Sequence, residues 1–210
     1  MGRLQEISES VQRGEGDKVK SLIREALEKQ GKPIELLNFG LLKGMEKIGV
    51  DFKNHQIYLP EVMFAARAMQ AGMEILRPLL SQGDSYLRGK IILGTVQGDL
   101  HDIGKNIVGM MLEGTGFEVI DLGVDVPPDA FLEAAQSHQA SVIGISAMLT
   151  STMLVMKDVV DLIHSSSLRG EVRVIVGGAP VGERFAQEIG ASFFARDASQ
   201  TVEFMQELYP

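Results

Sequence analysis

The chain has no cysteine and is short of positive charge. The absence of cysteine from its 210 residues excludes a disulfide framework, a thiolate metal site and a thiol nucleophile. Twenty basic residues against 28 acidic ones give a formal net charge of −8. This is the wrong sign for a surface that binds a phosphate backbone, so we expect no nucleic-acid partner.

Long hydrophobic runs are also absent. No run approaches the roughly 18 apolar residues that a membrane-spanning helix needs. The first residues, MGRLQEISESVQRGEGDK, lack the apolar region of a signal peptide. We therefore expect a cytoplasmic protein without membrane contact. The 45% hydrophobic content is enough for the core of one large or two modest domains.

The first part of the sequence has a helical period. Apolar residues recur at helical spacing from Leu4 to about Leu80, and no strand-like alternation interrupts them. Pro33, shortly after Gly31, fits the first turn of a helix. The pattern predicts four helices, at roughly 4–11, 19–27, 33–48 and 61–76. Four short helices indicate a bundle, which we assign to residues 1–84.

A polar segment, residues 81–85, precedes a change of period. Runs rich in Ile and Val alternate with helical stretches beyond it. The strand runs are 90–96, 117–122, 141–146, 171–176 and 191–195, and the helical ones are 104–113, 128–137, 151–164, 182–189 and 198–208. This alternation predicts an α/β domain over residues 85–210, with a five-stranded parallel sheet in flavodoxin-like (Rossmann-like) order.

Ligands bind such a sheet at the carboxyl ends of its strands, where the strand order reverses. The loops after the first and third predicted strands meet there. The first reads Gln-Gly-Asp-Leu-His-Asp-Ile-Gly over residues 97–104, and the second reads Ser-Ala-Met-Leu-Thr-Ser-Thr over residues 146–152. Both have an unusual composition for connecting segments, so they are the candidate site.

Asp99 and His101 stand two residues apart, a spacing that in an extended segment places both side chains on one side. A carboxylate that accepts from one imidazole nitrogen fixes the tautomer and leaves the other nitrogen free to bind a metal. A surface turn or a general base would have the same local sequence. A zinc site needs further ligands, and the other histidines lie in unrelated segments: His55, His138 and His164. A single protein ligand suggests a metal carried in its own macrocycle.

These loops resemble the cobalamin-binding domains of the methionine synthase type. That family has Asp-x-His-x-x-Gly, then Ser-x-Leu, then Gly-Gly, at intervals that also agree. The matching residues here are Asp99, His101, Gly104, Ser146, Met148, Gly177 and Gly178. Met148 stands where the family has leucine, a volume-conserving change.

The resemblance implies roles for individual residues. His101 would be the lower axial ligand of cobalt, Asp99 its hydrogen-bonded partner, and Thr152 the hydroxyl that completes the relay. The glycine pair would let the flat base of the displaced nucleotide tail lie against the backbone, although an ordinary turn would explain it too. The implied cobalamin-binding set in this domain is Gly98, Asp99, His101, Asp102, Ile103, Gly104, Ser146, Met148, Thr150, Gly177 and Gly178.

The resemblance extends into the helical half, which is similar to the cap of these proteins. There an aromatic residue and a leucine seven positions later cover the upper face of the corrin, and Phe52 and Leu59 match them. The alternative is that both fill the bundle core. We place both in an inter-helix connection, which favours the cap role.

The implied function is that of a corrinoid methyl carrier, a subunit of a methyltransferase system in one-carbon metabolism and not a catalyst on its own. Its cofactor would be cobalamin (methylcobalamin or another corrinoid). Its implied partners are a substrate:corrinoid methyltransferase, a second methyltransferase acting on tetrahydrofolate or a thiol, and a reductive activator. No residue here distinguishes methanol, methylamine, glycine betaine or an aryl methyl ether as methyl donor.

Three alternatives stay open from sequence. A cobalamin-dependent regulator shares these motifs but usually has a DNA-binding helix-turn-helix ahead of them, and this acidic chain starts with cap-like helices. The small subunit of an adenosylcobalamin mutase shares Asp-x-His-x-x-Gly but generally lacks the cap. A flavodoxin-like domain that binds flavin, or nothing, predicts no corrinoid absorbance after reconstitution.

Overall fold

A computed structural model describes residues 2–80 and 88–209. Contacts divide the chain into two compact units, Met1–Leu87 with Glu113–Gly116 and Arg88–Leu112 with Phe117–Pro210. The predicted boundary between residues 84 and 85 lies outside the described residues. Over the two described ranges, no helix is both long and apolar enough to cross a bilayer.

The first unit is a helical bundle. Its helices are α1 (Gly2–Gln12), α2 (Gly16–Glu28), α3 (residues 33–53) and α4 (Leu59–Leu76), followed by a 3-10 turn at Arg77–Leu79. Pro60 occupies the first turn of α4, and the Glu61 carboxylate accepts from the Tyr58 N–H at 3.1 Å, so the sequence caps this helix where it begins.

The third helix contains a π-helical segment. It consists of Pro33–Leu36, the π segment Leu37–Leu42 and Lys43–Lys53, one after another. Gly40 lies in the π segment, where a Cβ would come within 2.9 Å of Ile7. Close packing on α1 therefore requires a residue without a side chain at this point.

The second unit is a parallel sheet with the strand order β2-β1-β3-β4-β5. The strands are β1 (Lys90–Thr95), β2 (Glu118–Asp121), β3 (Val142–Ser146), β4 (Arg173–Gly177) and β5 (Phe193–Ala195). All four pairings are parallel. This is the flavodoxin-like order that the sequence predicts, and it reverses between β1 and β3.

Helices alternate with these strands along the chain. They are α5 (Ile103–Gly114), α6 (Pro128–His138), α7 (Val155–Ser165), α8 (Glu183–Ile189) and α9 (Ala198–Leu208). The β-branched residues of the central strands, such as Ile92, Ile143 and Val176, are completely buried. A sheet covered on both faces explains why its strands are continuous apolar runs without alternation.

Two sequence predictions need correction. Phe52 belongs to α3 and Leu59 is the first residue of α4, so neither lies in the inter-helix connection where we placed them. That connection is residues 54–58, because the helix continues past Ile48 for another turn. In addition, α7 begins at Val155 and not at Ser151, because residues 149–154 form turns at the end of β3.

Candidate functional site

Asp99 is the centre of the turn that follows β1. Its side chain is completely buried, and its carboxylate accepts four hydrogen bonds. Oδ1 accepts from His101 Nδ1 at 2.7 Å and from the His101 N–H at 3.1 Å. Oδ2 accepts from the Met148 N–H at 2.8 Å and from Thr152 Oγ1 at 2.7 Å. One carboxylate thus joins the loops after β1 and β3 at the point where the strand order reverses.

These hydrogen bonds determine the charge of Asp99. Burial raises the pKa of a carboxyl group because it disfavours the charged form. The bonds from Met148, Thr152 and His101 act in the opposite direction and outweigh burial, so the pKa of Asp99 lies well below its usual range. Asp99 is consequently an anion that can only accept hydrogen bonds.

The ionised partner defines the state of the His101 ring. Because Asp99 accepts, Nδ1 must carry the proton, and the neutral imidazole therefore has its lone pair on Nε2. The His101 side chain is 55% exposed, whereas that of Asp99 is 0% exposed. The Nδ1 atom of His101 is thus held by the buried Asp99 carboxylate, while the rest of the ring is exposed at the surface.

The backbone of the turn is held as well. The buried Thr95 donates from Oγ1 to the His101 carbonyl at 2.9 Å. Gly98 has a φ of +84°, a conformation that strains any other residue except asparagine or aspartate. The Val96 N–H donates to the Ser146 carbonyl at 3.0 Å, which continues the β1–β3 pairing into the loops.

Exposed apolar side chains flank His101 in sequence and also occupy the loop after β3. Leu100 and Ile103 are 72% and 74% exposed, and Met148 and Leu149 on the facing loop are 49% and 43% exposed. Large apolar groups left in solvent by a well-ordered turn mark a binding surface. They suit the flat apolar face of a macrocycle.

Structural reasons account for the two glycines at the end of β4, Gly177 as its last residue and Gly178 directly after it. Gly177 pairs with Ser146 across the sheet, and its carbonyl accepts from the Ala147 N–H at 3.2 Å. Gly178 has a φ of +127°, and a Cβ there would lie 1.8 Å from the Ala147 carbonyl oxygen. Close approach of the β3 and β4 ends therefore requires glycine at 178, whether or not a nucleotide base also lies against it.

The other predicted binding residues take different positions. Asp102 precedes α5, and Ile103 and Gly104 are its first residues. A Cβ on Gly104 would meet nothing within 4 Å, so this glycine leaves open space beside the histidine. Thr150 is exposed on the loop after β3. Phe52 and Leu59 belong to the helical unit, where both are half-buried.

The donor set fits a metal that brings its own ligands. Among residues 2–80 and 88–209, no three His, Cys, Asp or Glu side chains are grouped to hold a metal ion. A bare zinc ion needs three or four protein ligands. One imidazole, oriented by a buried carboxylate and bordered by apolar residues, instead fits a single axial position of a metallated macrocycle.

Sequence reasoning missed three residues around the turn. Thr95 supports the His101 carbonyl, Asp125 binds Gly98, and the buried Lys105 forms an ion pair with Asp121. Thr95 is hidden as an ordinary strand residue, and the partners of Asp125 and Lys105 are distant in sequence. The sequence offered one signal for Asp125, the Gly-Val-Asp-Val-Pro-Pro segment after β2. An aspartate between two valines indicates a structural role for its side chain.

Comparison with protein families identifies the cofactor that this domain binds. A model described as a B12 binding domain matches residues 89–203, and a second B12 binding domain model matches residues 3–77. The chain belongs to the B12-binding corrinoid proteins. The site around His101 is therefore in a cobalamin-binding domain, and the alternative of a flavin-binding flavodoxin is excluded.

Named relatives of this corrinoid protein cover almost its full length. The dimethylamine corrinoid protein of Methanosarcina barkeri is 42% identical over 206 residues, which are 98% of this chain and 96% of that one. A corrinoid protein of Desulfitobacterium hafniense strain Y51 is 39% identical over 213 residues, 99% of this chain and 98% of that one.

A solved structure resembles this corrinoid protein closely. The methanol:cobalamin methyltransferase complex of Methanosarcina barkeri superimposes with a TM-score of 0.92 at 28% identity, covering 99% of this chain and 80% of that one. The two relatives are named as corrinoid proteins and the structural neighbour is a methyltransferase complex. These names do not favour the regulator or the mutase subunit.

Proposed function

We propose that this corrinoid protein is a methyl carrier that binds cobalamin in the base-off, His-on form, with His101 as the ligand of cobalt. Two relatives are named as dimethylamine corrinoid proteins, and a structural neighbour is a methanol:cobalamin methyltransferase complex. They support a carrier that works with a methyltransferase partner.

The observation that carries the ligand assignment is the buried Asp99 carboxylate with its four hydrogen bonds. This carboxylate holds the imidazole in the tautomer with a free Nε2 lone pair, and it makes that lone pair a better electron-pair donor to a metal. A surface turn, the alternative from sequence, gives no reason to bury an aspartate completely beneath an exposed histidine.

The bound corrinoid supplies the cobalt centre that accepts and gives up the methyl group. The protein's own residues hold and orient His101. Asp99 accepts the hydrogen bond from Nδ1, so that Nε2 can present its lone pair to the metal. Thr152 donates to the opposite carboxylate oxygen.

Several assignments belong to this proposal. Ser146, Thr150, Gly177 and Gly178 would line the slot for the nucleotide tail, and Phe52 and Leu59 would cover the corrin. The proposed domains are a helical cap over residues 1–84 and a cobalamin-binding domain over residues 85–210. Beyond a donor-specific methyltransferase, we propose a second methyltransferase that uses tetrahydrofolate or a thiol, and a reductive activator.

The test is reconstitution with hydroxocobalamin followed by spectroscopy and methyl transfer. His101→Ala is expected to lose the histidine-ligated spectrum while retaining much of the corrinoid through the slot. Asp99→Asn is expected to bind the corrinoid with disturbed ligation, because an amide can present the wrong tautomer to the ring. His138→Ala, at the exposed end of α6, is the matched control.

Methyl transfer is then measured with candidate methyltransferases and each of their donors, starting with dimethylamine and methanol, the compounds for which the relatives are named. The proposal expects transfer that depends on His101 and not on His138. An unchanged spectrum and methyl-transfer rate in His101→Ala would show that the ligand assignment is wrong.

A further inference from the structure

The loop between β2 and α6 lies along the end of β1. The Thr95 N–H donates to the Gly123 carbonyl and the Val126 N–H donates to the Thr95 carbonyl, both at 3.0 Å. Val96 and Val126 form an isolated parallel bridge. The loop over residues 123–126 therefore extends the sheet beside the segment that leads into the histidine turn.

Asp125 makes two hydrogen bonds to that turn, in opposite directions. Its N–H donates to the Asp99 carbonyl at 3.0 Å, and its Oδ1 accepts from the Gly98 N–H at 2.7 Å. These two peptide groups stand on either side of the Asp99 side chain. Asp125 thus fixes the backbone from which both the buried carboxylate and His101 project.

The backbone of Asp125 is itself unusual. Its φ is +55°, in the left-handed region, where a side chain is strained unless it is asparagine or aspartate. A left-handed residue persists only when its surroundings require it. Here it lets one residue present both its N–H and its carboxylate to the same turn.

We propose that Asp125 is a positioning residue for the histidine ligand, and that it strengthens ligation by ordering the Gly98–His101 turn before the metal is bound. This inference rests on the proposed role of His101. A turn that is already ordered loses less conformational entropy when the imidazole is engaged. Asp125 acts through its two hydrogen bonds to the backbone of the turn.

Three substitutions separate the contributions. Asp125→Asn keeps an acceptor oxygen and tolerates positive φ. Asp125→Gly keeps the backbone conformation but removes the acceptor. Asp125→Ala removes the acceptor and adds backbone strain. Asp129→Ala is the control, because Asp129 is an exposed carboxylate in the first turn of α6 and forms no hydrogen bond to the Gly98–His101 turn within the described residues.

Two measurements are made on the full chain. The first is amide hydrogen exchange at Gly98 without cofactor, which reports the hydrogen bond to Asp125 directly. The second uses the cobalamin-loaded Co(II) protein labelled with ¹⁵N at histidine, and it records the concentration of unlabelled free imidazole at which the ¹⁵N splitting of the cobalt signal is lost. Losing a hydrogen bond to a carboxylate is expected to lower that concentration about three- to tenfold.

We expect wild type and Asp125→Asn to require similar imidazole concentrations, Asp125→Gly to require a lower one, and Asp125→Ala one at least as low as the glycine variant. Amide exchange at Gly98 should be faster in the Gly and Ala variants than in wild type. Wild-type behaviour of Asp125→Gly in both measurements would overturn the inference. So would an asparagine variant as weak as the glycine variant, because negative charge and not the hydrogen bond would then be responsible. A wild-type protein without a histidine-ligated spectrum would instead contradict the proposed function, and exchange at Gly98 would still test the turn.

Discussion

Thr152 Oγ1 lies 2.7 Å from Asp99 Oδ2, although the two residues belong to loops on neighbouring strands. The same hydroxyl is 3.1 Å from the Leu149 carbonyl, and Thr152 is almost completely buried. The carboxylate that orients His101 is therefore held from the opposite side by a second loop. The hydrogen bond between Thr152 and Asp99 therefore contributes both to the stability of the domain and to the orientation of His101.

The first prediction concerns that hydroxyl. Thr152→Val preserves shape but leaves a buried carboxylate oxygen with one donor fewer, so the free energy of unfolding should fall by about 2 kcal/mol. Thr152→Ser keeps the donor and should lose clearly less. Urea unfolding of the three proteins without cofactor measures this, and a valine variant as stable as the wild type would mean that the contact contributes nothing.

The second prediction concerns pH. The pKa of Asp99 is lowered in the folded state, so its contribution to stability is complete above the ordinary carboxyl pKa of about 4. It is lost as the pH falls below that value toward the lower folded pKa, because the unfolded chain then binds the proton first. Unfolding from pH 7 to pH 3 should show a smaller loss of stability in Asp99→Asn than in wild type. Asp129→Asn should follow wild type, and parallel curves for wild type and Asp99→Asn would contradict the prediction.

The third prediction concerns the ion pair of Lys105 and Asp121. The Lys105 side chain is 3% exposed and that of Asp121 is 44% exposed, and Lys105 Nζ also donates to Asn106 Oδ1 at 2.8 Å. Asp121→Ala leaves a buried ammonium without its counter-ion and should cost about 3 kcal/mol. Lys105→Met leaves a carboxylate that water can reach and should cost less. Thermal or urea unfolding with the opposite order would refute this asymmetry.

The fourth prediction compares two glycines of the proposed cofactor set. A Cβ at Gly104 meets open space, whereas a Cβ at Gly178 collides with the Ala147 carbonyl. Gly104→Ala should therefore fold with at least wild-type stability, since alanine favours a helix, and should bind cobalamin more weakly. Gly178→Ala should lower stability whether or not cobalamin is added. Calorimetric unfolding and cobalamin titration distinguish the two, and unchanged cobalamin affinity in Gly104→Ala would remove Gly104 from the site.

The α/β half of the fold was predictable because its signals are local. Strand runs rich in Ile and Val bounded by turn residues gave all five strands within about two residues at each end, and the order followed from the alternation with helices. The helix from Ala198 to Leu208 was predicted at its observed bounds, and its cap is local too, since Asp197 accepts from the Gln200 N–H at 3.0 Å.

Non-local contacts limited the rest. The helical period alone cannot show that α3 contains a π segment or that Gly40 within it packs against Ile7. It also did not show that α3 continues through Phe52, where an ion pair between Lys47 and Asp51 supports the last turn. The start of α7 was placed too early because residues 149–154 are drawn into turns around the Thr152 contact.

The candidate site likewise combines local contacts, which the sequence predicts, with contacts between distant segments, which it does not. The contact of Asp99 with His101 follows from their spacing and is present at 2.7 Å. The Met148 N–H and the Asp125 carboxylate reach the turn from the loops after β3 and β2, so only the folded chain shows these contacts. The roles assigned to Ser146, Thr150, Phe52 and Leu59 remain predictions, because each requires the bound corrinoid.

The most direct test of the central claim is electron paramagnetic resonance of the Co(II) form of the reconstituted protein. An axial nitrogen splits the cobalt signal into triplets when it is ¹⁴N and into doublets when it is ¹⁵N. If His101 is the ligand, protein labelled with ¹⁵N only at histidine should give doublets with unlabelled cobalamin, and His101→Ala should give no such splitting. Triplets that persist in the labelled protein would show that the corrinoid's own base, and not His101, is bound to cobalt.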